Sequence, residues 1–310
     1  MKPIMTRREM LKVSLATAAG VSLGNRLGLG QLSQLYAATN PLNPMPTRKL
    51  GKTGFEVPLF SLGGQSTIEQ PGKQDEAVAI IHRALDYGVK FIDTASIYGR
   101  GISETYIGEV MKERRDEVFL ATKSRDYTYD GTMRVIEESL RRLQTDWIDL
   151  YQHHNVSSGD GLRQVLGPNG ALKAFNELHE QGVIRHKGIT GHSSRVLLDA
   201  IRTVDYDCVL ITLNPANMSM RDGEYMTEFM AAAVEEEIGI IGMKVVGRGN
   251  LLRRGVTMEQ AMRYTLSYPV STVIIGITEI AQIEENTRIA QAFEPLSESQ
   301  MMQLEQVARV

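Results

Sequence analysis

Cysteine, tryptophan and long apolar runs are all scarce in this chain of 310 residues. Its single cysteine, Cys208, rules out an internal disulfide and any four-cysteine iron–sulfur cluster. That thiol lies in the apolar stretch "CVLITLNP", where it reads as a small buried hydrophobe. No segment is apolar for long enough to form a stable membrane span. Positive charge is not in excess, since the formal net charge is −3, so nothing electrostatic favours a nucleic-acid partner. The G-x-G-x-x-G turn of an open dinucleotide-binding sheet is missing too, because the first apolar strand runs into "SLGGQST". What is present is 42% hydrophobic and 23% charged, an ordinary composition for one large α/β domain.

The first residues depart from that composition. "MKPIMTRREMLKVSLATAAGVSLG" sets Arg7 and Arg8 before a weakly apolar segment rich in alanine and glycine, the layout of an export signal. "TRREMLK" resembles a twin-arginine leader, whose export machinery carries already folded proteins. Residues 1–38 therefore read as a leader cleaved near Ala37 or Ala38, 39–46 as a linker, and 47–310 as the folded domain. The leader carries five basic side chains and one acidic, which leaves the remainder nearer −7. The expected location is periplasmic, or exported after folding; it is cytoplasmic if the leader does not function.

After the linker, "RKLGKTGFEVP" reads as a small hairpin around a Gly-Lys-Thr-Gly turn. Apolar strands then alternate with amphipathic helices. The strands are expected at 59–64, 90–95, 117–124, 147–154, 185–193, 208–215, 239–246 and 271–278. Segments such as "DEAVAIIHRALDYG" and "TMRVIEESLRRLQ" space apolar residues three and four apart, as helices do, and Gly88 and Gly182 stand where C-caps belong. Eight such units predict a parallel (β/α)8 TIM barrel, with the hairpin before it and "SESQMMQLEQVAR" as an extra C-terminal helix.

Active sites of such barrels form at the carboxyl ends of the strands. Here Asp93 closes the second strand with Tyr98 just beyond it, Lys123 closes the third, and His153 and His154 close the fourth. "FIDTASIYGRGISETYIGEVM", "VFLATKS" and "WIDLYQHHNV" resemble the successive signatures of the aldo-keto reductase family, over residues 47 to 296. The resemblance implies Asp93, Tyr98, Lys123 and His154 as catalytic residues. An ammonium beside a phenol lowers its pKa and helps it donate a proton to a carbonyl oxygen, and an acid holds that ammonium in place. Neighbours on a strand point to opposite faces, so His153 and His154 cannot both enter the site. Parity leaves the choice open, and the family pattern selects His154.

None of these groups supplies a hydride, so a nicotinamide cofactor is expected. "VVGRGNLL" follows the seventh strand, where phosphates bind in such barrels, and offers Gly247, Arg248 and Gly249. "GITEIAQIEENT" resembles the family's adenosine segment, with Gly276, Thr278, Gln282, Glu285 and Asn286. Gly64, Thr190, Asn214, Met243 and Lys244 complete the expected cofactor contacts. Departures from the family pattern are Leu210 for a glutamine, Thr190-Gly191 for serine-asparagine, and Met243 for a stacking aromatic. These departures are similar to a subgroup that sometimes carries an iron–sulfur module. Family habit implies NADP, whereas Glu285 and the thin basic charge nearby leave NAD open.

The leading expectation is an NAD(P)H-dependent reductase of aldehydes or ketones, with a small carbonyl compound as partner. Two alternatives stand beside it: a nicotinamide-binding barrel without turnover, and a Schiff-base lyase using Lys123 or Lys244. No residue set completes a metal site with His153 and His154.

Overall fold

A computed structural model describes residues 44–309 except Met218. The leader reading of 1–38 lies outside the described residues. β1 (Thr47–Lys49) and β2 (Glu56–Pro58) form an antiparallel hairpin around a turn at Gly51–Thr53. Eight strands then close a parallel barrel. They are β3 (Phe60–Ser66), β4 (Phe91–Asp93), β5 (Phe119–Ser124), β6 (Ile148–His153), β7 (Ile184–Gly191), β8 (Cys208–Thr212), β9 (Gly239–Met243) and β10 (Thr272–Ile277). Each expected strand overlaps one of them, with β3 running two residues past its expected end and β7 starting one residue early. β10 pairs with β3 to close the ring, so no strand edge is left open.

The helices are α1 (Gln74–Asp86), α2 (Ile102–Arg114), α3 (Tyr129–Leu143), α4 (Gly159–Leu166), α5 (Ala171–Glu180) and α6 (Ser194–Thr203). They continue with α7 (Met226–Glu235), α8 (Asn250–Arg253), α9 (Met258–Leu266), α10 (Ile280–Gln291) and α11 (Glu298–Arg309). α1 and α5 end before Gly88 and Gly182, which adopt the left-handed φ values of 82° and 74° that a side chain resists. α4 lies between β6 and α5, in a stretch for which the sequence reading assigns no element. Ser158 starts it by accepting a hydrogen bond from the Gly161 amide, and Leu162 and Val165 bury its inner face.

Alternation along the strands sorts the core into two. Phe91, Ala121, Leu150, Cys208, Leu210, Ile241 and Ile274 pack inside the barrel with Leu50 and Val57 of the hairpin segment. Ile92, Leu120, Tyr151, Val209 and Ile240 face outward, in the larger core shared with the helices. At the amino end of the barrel Phe55 stacks on Phe119, with ring centroids 4.5 Å apart, and Phe91 stacks on Phe119 at 5.5 Å. The hairpin thus closes the floor and leaves the carboxyl rim open. Gly51 allows this fit: its φ is 54°, and a Cβ there would collide with the backbone of Gly239.

Candidate active site

Inward parity carries three polar side chains up to the rim. Asp93 lies two residues beyond Phe91, Lys123 two beyond Ala121, and Gln152 two beyond Leu150. Strand register puts Asp93 opposite Ala121 and Lys123 opposite Gln152. Lys123 Nζ donates to Asp93 Oδ2 at 2.5 Å and to the Thr94 carbonyl at 2.6 Å. Gln152 Nε2 donates to Asp93 Oδ1 at 3.1 Å. Asp93 is 1% exposed, and Lys123 and Gln152 are fully buried. Burial pushes the Lys123 ammonium down and the Asp93 carboxyl up, and each is opposed chiefly by the charge of the other. The pair is therefore mutually dependent, and Gln152 extends it to β6. Gln152 was missed as a functional residue, although its even spacing from His154 grouped the two.

Tyr98 follows β4 at the start of a tight Tyr-Gly-Arg-Gly turn. Lys123 Nζ stands 5.2 Å from the centroid of its ring, in cation–π contact rather than hydrogen-bonded to its hydroxyl. Burial first, then Asp93 and Glu69, push the Tyr98 phenol well above its usual range, and Arg248 pulls it down, so burial outweighs the lowering expected of a nearby ammonium.

His154 comes directly after β6, and its ring meets Tyr98 edge-on with centroids 5.8 Å apart. Burial first, then Lys123, Arg125, His192 and Lys244, hold its pKa down to about 3, so the imidazole is neutral. His153 faces the other way. Its ring stacks on Phe175 at 3.7 Å and meets Tyr206 edge-on, fully buried behind the sheet. The direction that strand parity left open is settled by these contacts.

These groups open into one cavity of about 960 Å³ at the rim. Of the expected positions, Gly64, Asp93, Tyr98, His154, Thr190, Met243, Lys244, Arg248, Gly249, Gly276, Thr278, Gln282, Glu285 and Asn286 line it. Lys123, Asn214 and Gly247 do not. Lys123 reaches the site only through Asp93 and the Tyr98 ring. Asn214 Nδ2 instead donates to the Lys244 carbonyl at 3.2 Å. Gly247, Arg248 and Gly249 have successive φ values of 55°, 57° and 82°, a run that turns backbone N–H groups to one side. At the far end Asn286 is 1% exposed, and neither polar atom of its side-chain amide finds a partner among the described residues. A buried amide without partners is costly, so a ligand edge fits there.

Residues 59–262 match the family model described as "Aldo/keto reductase family". The chain belongs to the aldo/keto reductase family. Its membership makes it an oxidoreductase. It is 25% identical over 296 residues to an oxidoreductase of Bacillus subtilis, YqkF, a match covering 80% of this chain and 92% of that one. Among solved structures it is similar to the aldo-keto reductase AKR11C1 of Bacillus halodurans in its holo form, with a TM-score of 0.70 and 24% identity, over 85% of this chain and 96% of that one. A Klebsiella pneumoniae aldo-keto reductase in complex with NADPH has a TM-score of 0.71 and 22% identity, over 86% and 95% of the two chains.

Of the expected departures from the family pattern, Gly191 has a physical reason in this aldo/keto reductase: a Cβ there would collide with the Val156 carbonyl. Leu210 and Met243 line the cavity. His192, which was not foreseen, fills this region: its Nδ1 lies 3.0 Å from Thr212 Oγ1 and its Nε2 3.1 Å from Lys244 Nζ. Of the two lysines weighed as Schiff-base nucleophiles, Lys123 is fully buried and hydrogen-bonded to Asp93 and Thr94, whereas Lys244 lines the cavity. Among the described residues no helix is long and apolar enough to cross a membrane, and no group of three metal-ligating side chains occurs.

Proposed function

We propose that this protein reduces aldehydes or ketones with NADPH, using Tyr98 as the proton donor. The observation that carries this reading is the Asp93–Lys123 pair beneath the Tyr98 ring, with His154 beside it at the mouth of the cavity. NADPH, which the Klebsiella relative binds, supplies the hydride when bound. Asn286, Gln282 and Thr278 would hold its adenosine end, and the Gly247–Arg248–Gly249 run its phosphates.

The residues of this chain do the rest. Neutral His154 orients the carbonyl oxygen by hydrogen bonding, and an imidazole already held neutral does not compete with the phenol as an acid. As the carbon is reduced, its oxygen becomes an alkoxide, whose conjugate acid is about as weak an acid as water. A phenol raised by burial still gives its proton to so strong a base, and stays protonated until that base appears. Lys123, one of whose three N–H donors is left over from Asp93 and Thr94, steadies the phenolate through the ring. Replacing Tyr98 with phenylalanine tests this assignment. Aldehyde reduction should fall by about 10²–10⁴-fold with the nucleotide dissociation constant unchanged, and undiminished reduction refutes the donor role.

A second reading is a nicotinamide-holding barrel without turnover, favoured by Leu210 and Met243 in the cavity lining, where the resemblance implies a glutamine and a stacking aromatic. Tight nucleotide binding with no oxidation of NADPH across a panel of carbonyls separates it from the first. Residues 1–38 are proposed as a twin-arginine leader that exports the folded barrel of 47–310 past the linker 39–46. Because a folded-state route can load the cofactor beforehand, the mature protein should purify with nucleotide bound. Nucleotide-free protein with weak affinity counts against that export scheme.

A further inference from the structure

Lys244 is out of keeping with its surroundings. It follows β9 directly, with a left-handed φ of 56° that a lysine rarely adopts. Its backbone is fixed there, because its carbonyl accepts from the Gly247 amide at 2.8 Å and from Asn214 Nδ2. Its ammonium lines the cavity, half-buried, and no carboxylate pairs with it among the described residues. The partner it does have is His192 Nε2. An ammonium only donates, so His192 accepts on Nε2, carries its proton on Nδ1, and donates that to Thr212 Oγ1. Two neighbouring strands therefore hold a cation in place without supplying its counter-charge.

The Lys244 side chain reaches across to His192 at the end of β7, while Arg248, also without an acidic partner among the described residues, sits within Gly247–Gly249. Lys244 lines the same cavity as His154, whose imidazole is where the carbonyl oxygen is expected. Burial and Arg248 lower its pKa only to about 8, which keeps it mostly charged at neutral pH.

We propose that Lys244, oriented by His192, recognises a carboxylate carried by the carbonyl substrate, so that the preferred substrates are oxo or aldehyde acids. Lys244 is the binding residue and His192 a positioning residue. The inference rests on the reductase reading for its chemistry, and on the uncompensated ammonium for its specificity.

The test compares 4-formylbenzoate with benzaldehyde on the whole protein with NADPH. Wild type should favour the charged probe in kcat/KM, and Lys244→Gln should cut the ratio of the two by about tenfold, as loss of a charge-assisted hydrogen bond does. Lys244→Arg should restore much of the ratio. His192→Ala should lower it through KM more than through kcat. A phosphate or nicotinamide role for Lys244 instead depresses both probes together and leaves their ratio where it was, which overturns the proposal. Calorimetric binding of the two probes to the nucleotide-loaded protein needs no turnover. Absence of reduction with a binding ratio that depends on Lys244 discredits the reductase reading alone, whereas a ratio indifferent to Lys244 discredits the carboxylate site alone.

Discussion

The floor and the rim of the barrel are built from the same strands, yet they hold opposite kinds of side chain. Phe91, two residues below Asp93, stacks on Phe119, which in turn stacks on Phe55, in an apolar plug. Asp93 meets Lys123 and Gln152 in a dry, hydrogen-bonded cluster. The floor gains stability from area removed from water, and needs only shape. The rim buries a carboxylate and an ammonium, which contribute little net stability and cost a great deal if separated. Stability and chemistry are thus stacked along single strands, two residues apart.

Mutations at the two levels should behave differently, and the largest contrast is at the charged pair. Lys123→Met should reduce turnover by orders of magnitude and also destabilise the fold by about 3–5 kcal/mol, because Asp93 is left buried without its partner. Denaturant titration then separates the two losses: Asp93→Asn with Lys123→Met should recover much of the stability and none of the activity. If the double variant regains turnover, the rim is not the reaction centre. At the floor, Phe119→Ala should cost about 3–5 kcal/mol, while kcat per folded molecule holds near that of wild type. A large change in kcat would mean that floor and rim are coupled.

A smaller effect comes from the buried histidines, of which His153 lies away from the site. Burial holds His153 at about 3 against an ordinary value of 6.5, so below pH 6.5 the unfolded chain binds a proton that the folded chain does not. Stability therefore falls as pH drops from 6.5 towards 3, by up to about 1.4 kcal/mol per pH unit from this residue. His153→Phe keeps a ring against Phe175 and should flatten that slope between pH 6.5 and 5 in urea titrations. An unchanged slope removes His153 as its source. Smallest is the expected response of Asn286→Ala, a weaker hold on nucleotide of about five- to tenfold, measured by fluorescence titration.

Much of this was legible in the chain itself. Strand positions followed from apolar runs between amphipathic helices, and the rim residues from polar groups closing those runs. His154 was chosen over His153 by resemblance, because parity has two solutions until something shows which face is inside. Phe175 and Tyr206, packed on His153, show it, and they lie 22 and 53 residues further along the chain. The reason for Gly191 is equally remote in sequence, since it is the Val156 carbonyl that leaves no room for a Cβ. The raised Tyr98 phenol was misjudged for a different reason: a sequence names the neighbouring charges but not the burial that outweighs them. α4 was hidden in a polar loop because its pattern spans only eight residues.

The most direct measurement is the pH dependence of both reaction directions with one aldehyde and its alcohol. A phenol raised by burial keeps its proton through neutrality, so reduction should run flat from pH 6 to 9, while alcohol oxidation, which needs the phenolate, should climb steadily with pH. A reduction rate that falls with a midpoint inside that window contradicts the assignment, because it reveals a donor that is already losing its proton near neutral pH.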